Sequence, residues 1–220
     1  AKKGETIAFI GSTGSGKSTL INLIPRFYDV TEGSIRIDGI DVRKFNLKAL
    51  RKKIGFIRQK NLLFTGTIKS NIKFGKPHAT HDEVEHSAKI AQAYDFISNK
   101  EKGFDEPISE GGSNVSGGQK QRLSIARALV RKPEIYIFDD SFSALDFKTD
   151  AILRKALKKE TTDAIVLIVA QRIGSIMDAD KIIVLDEGKV VGVGKHKELL
   201  KTCNVYHEIA LSQLTEEELA

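Results

Sequence analysis

The stretch Gly11-Ser12-Thr13-Gly14-Ser15-Gly16-Lys17-Ser18, followed by Thr19, spaces its residues as a phosphate-binding loop does: glycine, four residues, glycine, lysine, hydroxyl. A short apolar run from Thr6 to Ile10 precedes it and a helical pattern opens at Lys17, so the loop joins a strand to a helix. Its glycines let successive backbone N–H groups converge on an anion at the positive end of that helix. Lys17 adds a point charge toward β and γ phosphates, and the Ser18 hydroxyl can enter a Mg²⁺ shell. The chemistry expected is binding of a nucleoside triphosphate with Mg²⁺, held by the residues from Gly11 to Thr19.

Such a site needs a carboxylate at the end of a neighbouring buried strand. Asp139 stands there, directly after Ile135-Tyr136-Ile137-Phe138, and Asp140 follows it. Kinases, GTPases, helicases and motors share these two features, so they leave the function open. A second anion-binding arrangement lies at Ser116-Gly117-Gly118-Gln119, where a serine N-cap and free glycine amides open another helical pattern. It is too remote in sequence to belong simply to the first loop.

The positioning elements are legible in outline. The runs 135–138, 164–169 and 181–185 are too continuously apolar for half-solvated strands and predict a buried, mainly parallel sheet. Helical spacing runs through 47–53, 82–96 and 119–130, and residues 60–132 read as an inserted, mostly helical subdomain. The core is then formed by 1–59 and 133–220. Ser34 to Asp38 and Ile54 to Ile57 predict antiparallel strands at the sheet edge. The fold class expected is α/β, with no internal repeat.

Composition narrows the partners. With 40% hydrophobic and 29% charged residues and only 4 prolines, the 220-residue chain belongs with ordinary globular domains rather than disordered or collagenous ones. Its net charge of +6 is mixed in sign along the chain, unlike the clustered stripe of a dedicated nucleic-acid binder, and no nucleic acid is expected. The densest basic stretch, Arg43 to Lys53, reads as a solvated helix face. The longest apolar run, 164–170, falls far short of the roughly 18 residues of a membrane span. A single cysteine, Cys203, excludes an internal disulfide and suits a reducing compartment. His78, His81 and His86 lack the spacing to share one helical face, so they read as surface residues rather than metal ligands.

Asn114-Val115-Ser116-Gly117-Gly118-Gln119 followed by Lys120-Gln121-Arg122 resembles the signature of the ATP-binding-cassette (ABC) superfamily. The rest agrees in order from Lys3 to about Tyr206. The resemblance implies a P-loop NTPase core of the RecA-like kind, with ATP and Mg²⁺ as cofactors and Ser18, Gln59 and Asp139 around the metal. It implies that Ser116, Gly117, Gly118 and Gln119 close on ATP held by a second cassette, and that Ser143, Ala144, Leu145 and Asp146 cross the dimer interface. Leu63 to Ile68 with Asn71-Ile72, and Ser109 to Gly112, are similar to segments that exporter-type cassettes press against transmembrane helices.

Two departures qualify the resemblance. The family's adenine-stacking aromatic lies well upstream of the loop, and only ten residues precede Gly11, so a longer polypeptide with earlier strands and a membrane domain is expected before Ala1. Where the family places a catalytic glutamate and a switch histidine, this chain holds Asp140 and Gln171. The shorter carboxylate withdraws by roughly an ångström, beyond the reach a general base needs. The amide gives up the imidazole's positive charge. The expectation is the degenerate half of a heterodimeric exporter at the cytoplasmic face of a membrane, with a weak site of its own, completing the site of a non-identical partner. The alternatives are a soluble cassette ATPase acting on nucleic acid or ribosomes, and a homodimeric exporter with a slow site.

Overall fold

The computed structural model describes residues 1–215. The chain begins with strand β1 (Thr6–Gly11) and helix α1 (Lys17–Leu23), then a small hairpin of β2 (Arg36–Ile37) and β3 (Ile40–Asp41), α2 (Leu47–Lys52) and β4 (Ile54–Ile57). A largely helical excursion follows: β5 (Gly66–Thr67), α3 (Ile68–Lys73), α4 (His81–Ile90), α5 (Tyr94–Ser98), β6 (Pro107–Ile108) and α6 (Gly117–Leu129). The chain then returns through β7 (Ile135–Asp139), α7 (Phe147–Glu160), β8 (Ile165–Val169), β9 (Lys181–Asp186) and β10 (Lys189–Gly194) to α8 (His196–Thr202) and α9 (Asn204–Leu211).

Six strands form the central sheet in the order β10-β9-β1-β8-β7-β4. All neighbours are parallel except β10, which runs antiparallel to β9. The continuous apolar runs follow from burial on both faces. Ile7 and Phe9 of β1 enter one core with Ile137 of β7 and Val169 of β8, while Ala8 and Ile10 enter the other with Phe138 and Ile168. Alternation along each strand thus feeds two cores. The second of these is continuous with the helical excursion, because Ile68, Ile72, Val84 and Leu123 share it.

Three expectations are corrected. Ile54–Ile57 is parallel, not antiparallel: it sits at the sheet edge in register Ile54↔Ile135 with β7. The helical crossover between the two strands carries the chain back to the end where β4 began, which is the geometry a parallel neighbour requires. Of Ser34 to Asp38, only Arg36 and Ile37 form a strand, and they pair with β3 in a separate hairpin. Asp38 and Gly39, both with positive φ (52° and 77°), make its tight turn. The antiparallel edge is β10, delivered by the Glu187-Gly188 turn. The single helix expected over 82–96 is two, broken where Gln92 takes φ 56°.

Candidate nucleotide site

Six of the predicted side chains, Lys17, Ser18, Gln59, Asp139, Asp140 and Gln171, meet at the carboxyl ends of the parallel strands. Gly11 ends β1 so close to the next strand that a Cβ would run into the Leu185 carbonyl oxygen, so no other residue fits there. Gly14 and Gly16 hold φ of 85° and 94°, a region closed to most side chains, and they keep the loop's backbone open to an anion. Ser12, Thr13 and Gly14 line its exposed rim, Ser15 is buried, and Thr19 faces out from α1.

Lys17 is 8% exposed and donates to the Gly11 and Ser12 carbonyl oxygens at 2.8 and 2.7 Å, with Ser15 Oγ at 3.3 Å. Burial lowers its pKa from the usual 10.5, and the nearby Asp140 and Asp139 carboxylates push it back. The loop thus carries its cation at the centre of its own curve. Ser18 Oγ donates to Asp139 Oδ1 at 2.9 Å, joining residues 121 apart in sequence. A hydroxyl beside one carboxylate suits Mg²⁺, which keeps waters and substrate oxygens for its remaining positions. The open glycine cradle and this donor pair fit ATP with Mg²⁺.

Asp140 is buried, with φ 48°. One oxygen, Oδ2, accepts from Gln59 Nε2 at 2.8 Å and from Gln171 Nε2 at 2.9 Å. Burial raises its pKa above the ordinary carboxylate value. The structure therefore brings Gln59, Asp140 and Gln171 into one hydrogen-bonded group beside Asp139 and Lys17.

The signature segment stands apart. Ser116 Oγ accepts from Gln119 N at 3.2 Å, and Gln119 Oε1 accepts from Ser116 N at 3.1 Å, a reciprocal cap that starts α6. Among the described residues no hydrogen bond links Ser116–Gln119 to Gly11–Thr19. Gly118 instead abuts the loop 143–146, where an added Cβ would lie 3.3 Å from the Ala144 carbonyl oxygen. In that loop Ser143 Oγ donates to the Asp140 carbonyl at 2.9 Å. Leu145 is buried, and Asp146 caps α7 by accepting from Thr149 N and Oγ1.

The segments 63–72 and 109–112 lie side by side, because β5 pairs with β6. Asn71 bonds both the N–H and the carbonyl of Phe64, and Arg127 donates to Asn71 and to the Leu62 carbonyl. The Arg127 guanidinium lies over the Phe64 and Phe74 rings, which pack against each other with centroids 4.6 Å apart, and burial lowers its pKa to about 10. Phe64, Phe74 and Leu62 remain exposed beside it.

Sequence reasoning missed three supports. Buried Ser141 donates to the Ile57 carbonyl, tying the ends of β7 and β4. Arg172 donates to the Ser143 and Leu145 carbonyls at 3.2 and 3.4 Å. Gln213 bonds the backbone of both Gln171 and Ile173. A polar residue next to Asp140 or Gln171 was the only available signal for the first two. Cys203 is buried, as a structural residue would be. His81 and His86 pair with Glu85 and Glu160, and no group of three metal-ligating residues occurs among the described residues.

Fold and site together define a P-loop nucleotide-binding ATPase domain. The ABC transporter family model matches residues 1–143, and the chain belongs to that family. Over 208 residues it is 49% identical to Staphylococcus aureus proteins, in strains NCTC 8325 and COL among others, described as multidrug export ATP-binding/permease proteins. The match covers 94% of this chain and 36% of those relatives, so the chain spans about a third of their length. The solved structure of a bacterial Atm1-family ABC exporter with ATP bound superposes with a TM-score of 0.93 at 38% identity, covering 97% of this chain and 38% of that one. Among the described residues no helix is long and apolar enough to cross a membrane.

Proposed function

We propose that this chain is the ATP-binding domain of an exporter and that it forms the weakly hydrolysing half of a pair with a non-identical cassette. ATP with Mg²⁺ is held by Gly11 to Thr19, with Ser18, Asp139 and Gln59 toward the metal. Ser116 to Gln119, on the arm formed by residues 60–132, close on ATP of the partner, and Ser143 to Asp146 lie between the two cassettes. The membrane domain belongs to the same polypeptide, as the length of the relatives supports, and this domain works at its cytoplasmic side. The apolar, exposed Phe64 and Phe74 beside Arg127 face that domain.

The observation that carries the reading is the double occupation of Asp140 Oδ2 by the Gln59 and Gln171 amides. A general base needs a free lone pair within about 3 Å of the water it activates. Here Oδ2 already accepts two bonds, which leaves only Oδ1 for a water, and the side chain is one methylene shorter than glutamate. ATP binding draws on Lys17 and the loop, which this arrangement leaves intact. Closure of the cassette pair on ATP and its reopening after hydrolysis at the partner's loop would drive the membrane domains between two states.

Titration of a fluorescent ATP analogue with Mg²⁺ tests the binding half of this reading. Wild type should bind and Lys17→Ala should bind at least tenfold more weakly, while the chain alone turns over little ATP. Equal affinities would remove Lys17 from the site, and brisk turnover would contradict a weak base.

A further inference from the structure

We infer that Gln213, just beyond α9, is a positioning residue that sets Gln171 for contact with the terminal phosphate of ATP. The inference rests on the reading of Gln171 as the switch position. Gln213 Nε2 donates to the Gln171 carbonyl at 2.8 Å, and Gln213 Oε1 accepts from the Ile173 N–H at 2.8 Å. One side-chain amide thus makes the two bonds a neighbouring strand would make, and fixes the backbone on both sides of Arg172. That fixed backbone sends two side chains in two directions. Gln171 turns toward Asp140 Oδ2, and Arg172 turns toward the Ser143 and Leu145 carbonyls of the interface loop. Gln171 itself is exposed, so its own packing does not hold it in place.

The far end of the clamp is rigid. Tyr206 and Ala210 of α9 are fully buried against the sheet, in the core that holds Ala8, Ile10 and Val184. Gln213 follows this anchored helix, with its N–H bonded to the Ala210 carbonyl. The clamp therefore ties the last helix to the loop that faces the γ-phosphate, over a sequence separation of 42 residues. Nothing in it touches the phosphate loop, so the α and β phosphates should be held equally well without it.

The test is the ratio of ATP to ADP affinity, measured with Mg²⁺ by calorimetric titration of this chain. Gln213→Leu, close in shape and unable to make either bond, should weaken ATP about five- to tenfold, the scale of the net contribution of one ordinary hydrogen bond, and leave ADP unchanged. Gln213→Glu keeps the acceptor for Ile173 N–H but sets a carboxylate oxygen against the Gln171 carbonyl, so it should weaken ATP at least as much as Gln213→Leu. A merely structural role would lower ATP and ADP affinity together or lower neither, and either result overturns the inference. Gln171→Ala separates the two layers of the argument. If it lowers the ratio while Gln213→Leu does not, Gln213 has no positioning role; if Gln171→Ala itself leaves the ratio unchanged, the switch reading fails and this inference falls with it.

Discussion

Gln171 reaches 2.9 Å from its side-chain amide to Asp140 Oδ2, linking the second residue after β8 to the residue after β7. The two strands pair in parallel, with Asp139 opposite Val169, and this brings the residues that follow them within reach of each other. Gln59, beyond the end of β4, completes the group from the other side.

Asp140 should make the fold less stable at neutral pH. Burial raises its folded-state pKa above the unfolded value of 3.8, so ionisation is disfavoured in the native state. The penalty is full above the folded pKa and fades as pH falls through it toward 3.8. Asp140→Asn keeps an oxygen for both glutamine amides and removes the charge. Scanning calorimetry should show the variant melting higher at pH 7, with the difference closing on acidification; a difference independent of pH would assign the effect to something other than ionisation.

His196 Nδ1 and Tyr206 Oη lie 2.7 Å apart in the buried seam between α8 and α9. Burial, and after it Lys197, lower the His196 pKa below 6.5, so the ring is held neutral. The stability this contributes is present above pH 6.5 and is lost as pH falls below it toward the folded value. Tyr206→Phe strands the ring nitrogen and should cost about 1–3 kcal/mol in urea unfolding at pH 7.5. No loss would show that the pair contributes nothing net.

Much of this site was readable from residue order alone, because the phosphate loop and the signature are local. Gly11 to Ser18 and Ser116 to Gln119 each act within eight residues, and their spacing survives as pattern. Asp139 was readable because an apolar run ending in a carboxylate has few other uses. The direction of β4 was not, since a short apolar run is the same for a parallel and an antiparallel neighbour. The break at Gln92 carried no glycine, proline or asparagine to announce it. Arg172 on the 143–145 carbonyls and Gln213 on the Gln171 backbone act on main-chain atoms, which every residue carries, so no spacing between side chains records them.

Restoring both family groups should restore chemistry at this site. Asp140→Glu supplies the missing reach, but Gln171 would still lack a positive charge. In the assembled transporter the double change with Gln171→His should raise single-turnover hydrolysis at this site by about 10²- to 10⁴-fold, the range of general-base catalysis, and by more than either change alone. No gain would place the defect in the partner's signature or elsewhere.

The central claim is that the working site uses this chain's Ser116 and not its Asp140. Steady-state ATP turnover of the full assembly at saturating ATP measures this directly, because saturation keeps binding defects from passing as slow chemistry. Ser116→Arg would put bulk and misdirected charge where the proposed pairing docks the partner's γ-phosphate, and should abolish most turnover. Asp140→Asn should leave it within about twofold, whereas loss of a working base would cost about 10²-fold, ~3 kcal/mol of barrier. A collapse with Asp140→Asn as deep as with Ser116→Arg would contradict the account and make Asp140 the catalytic base of a site that hydrolyses ATP itself.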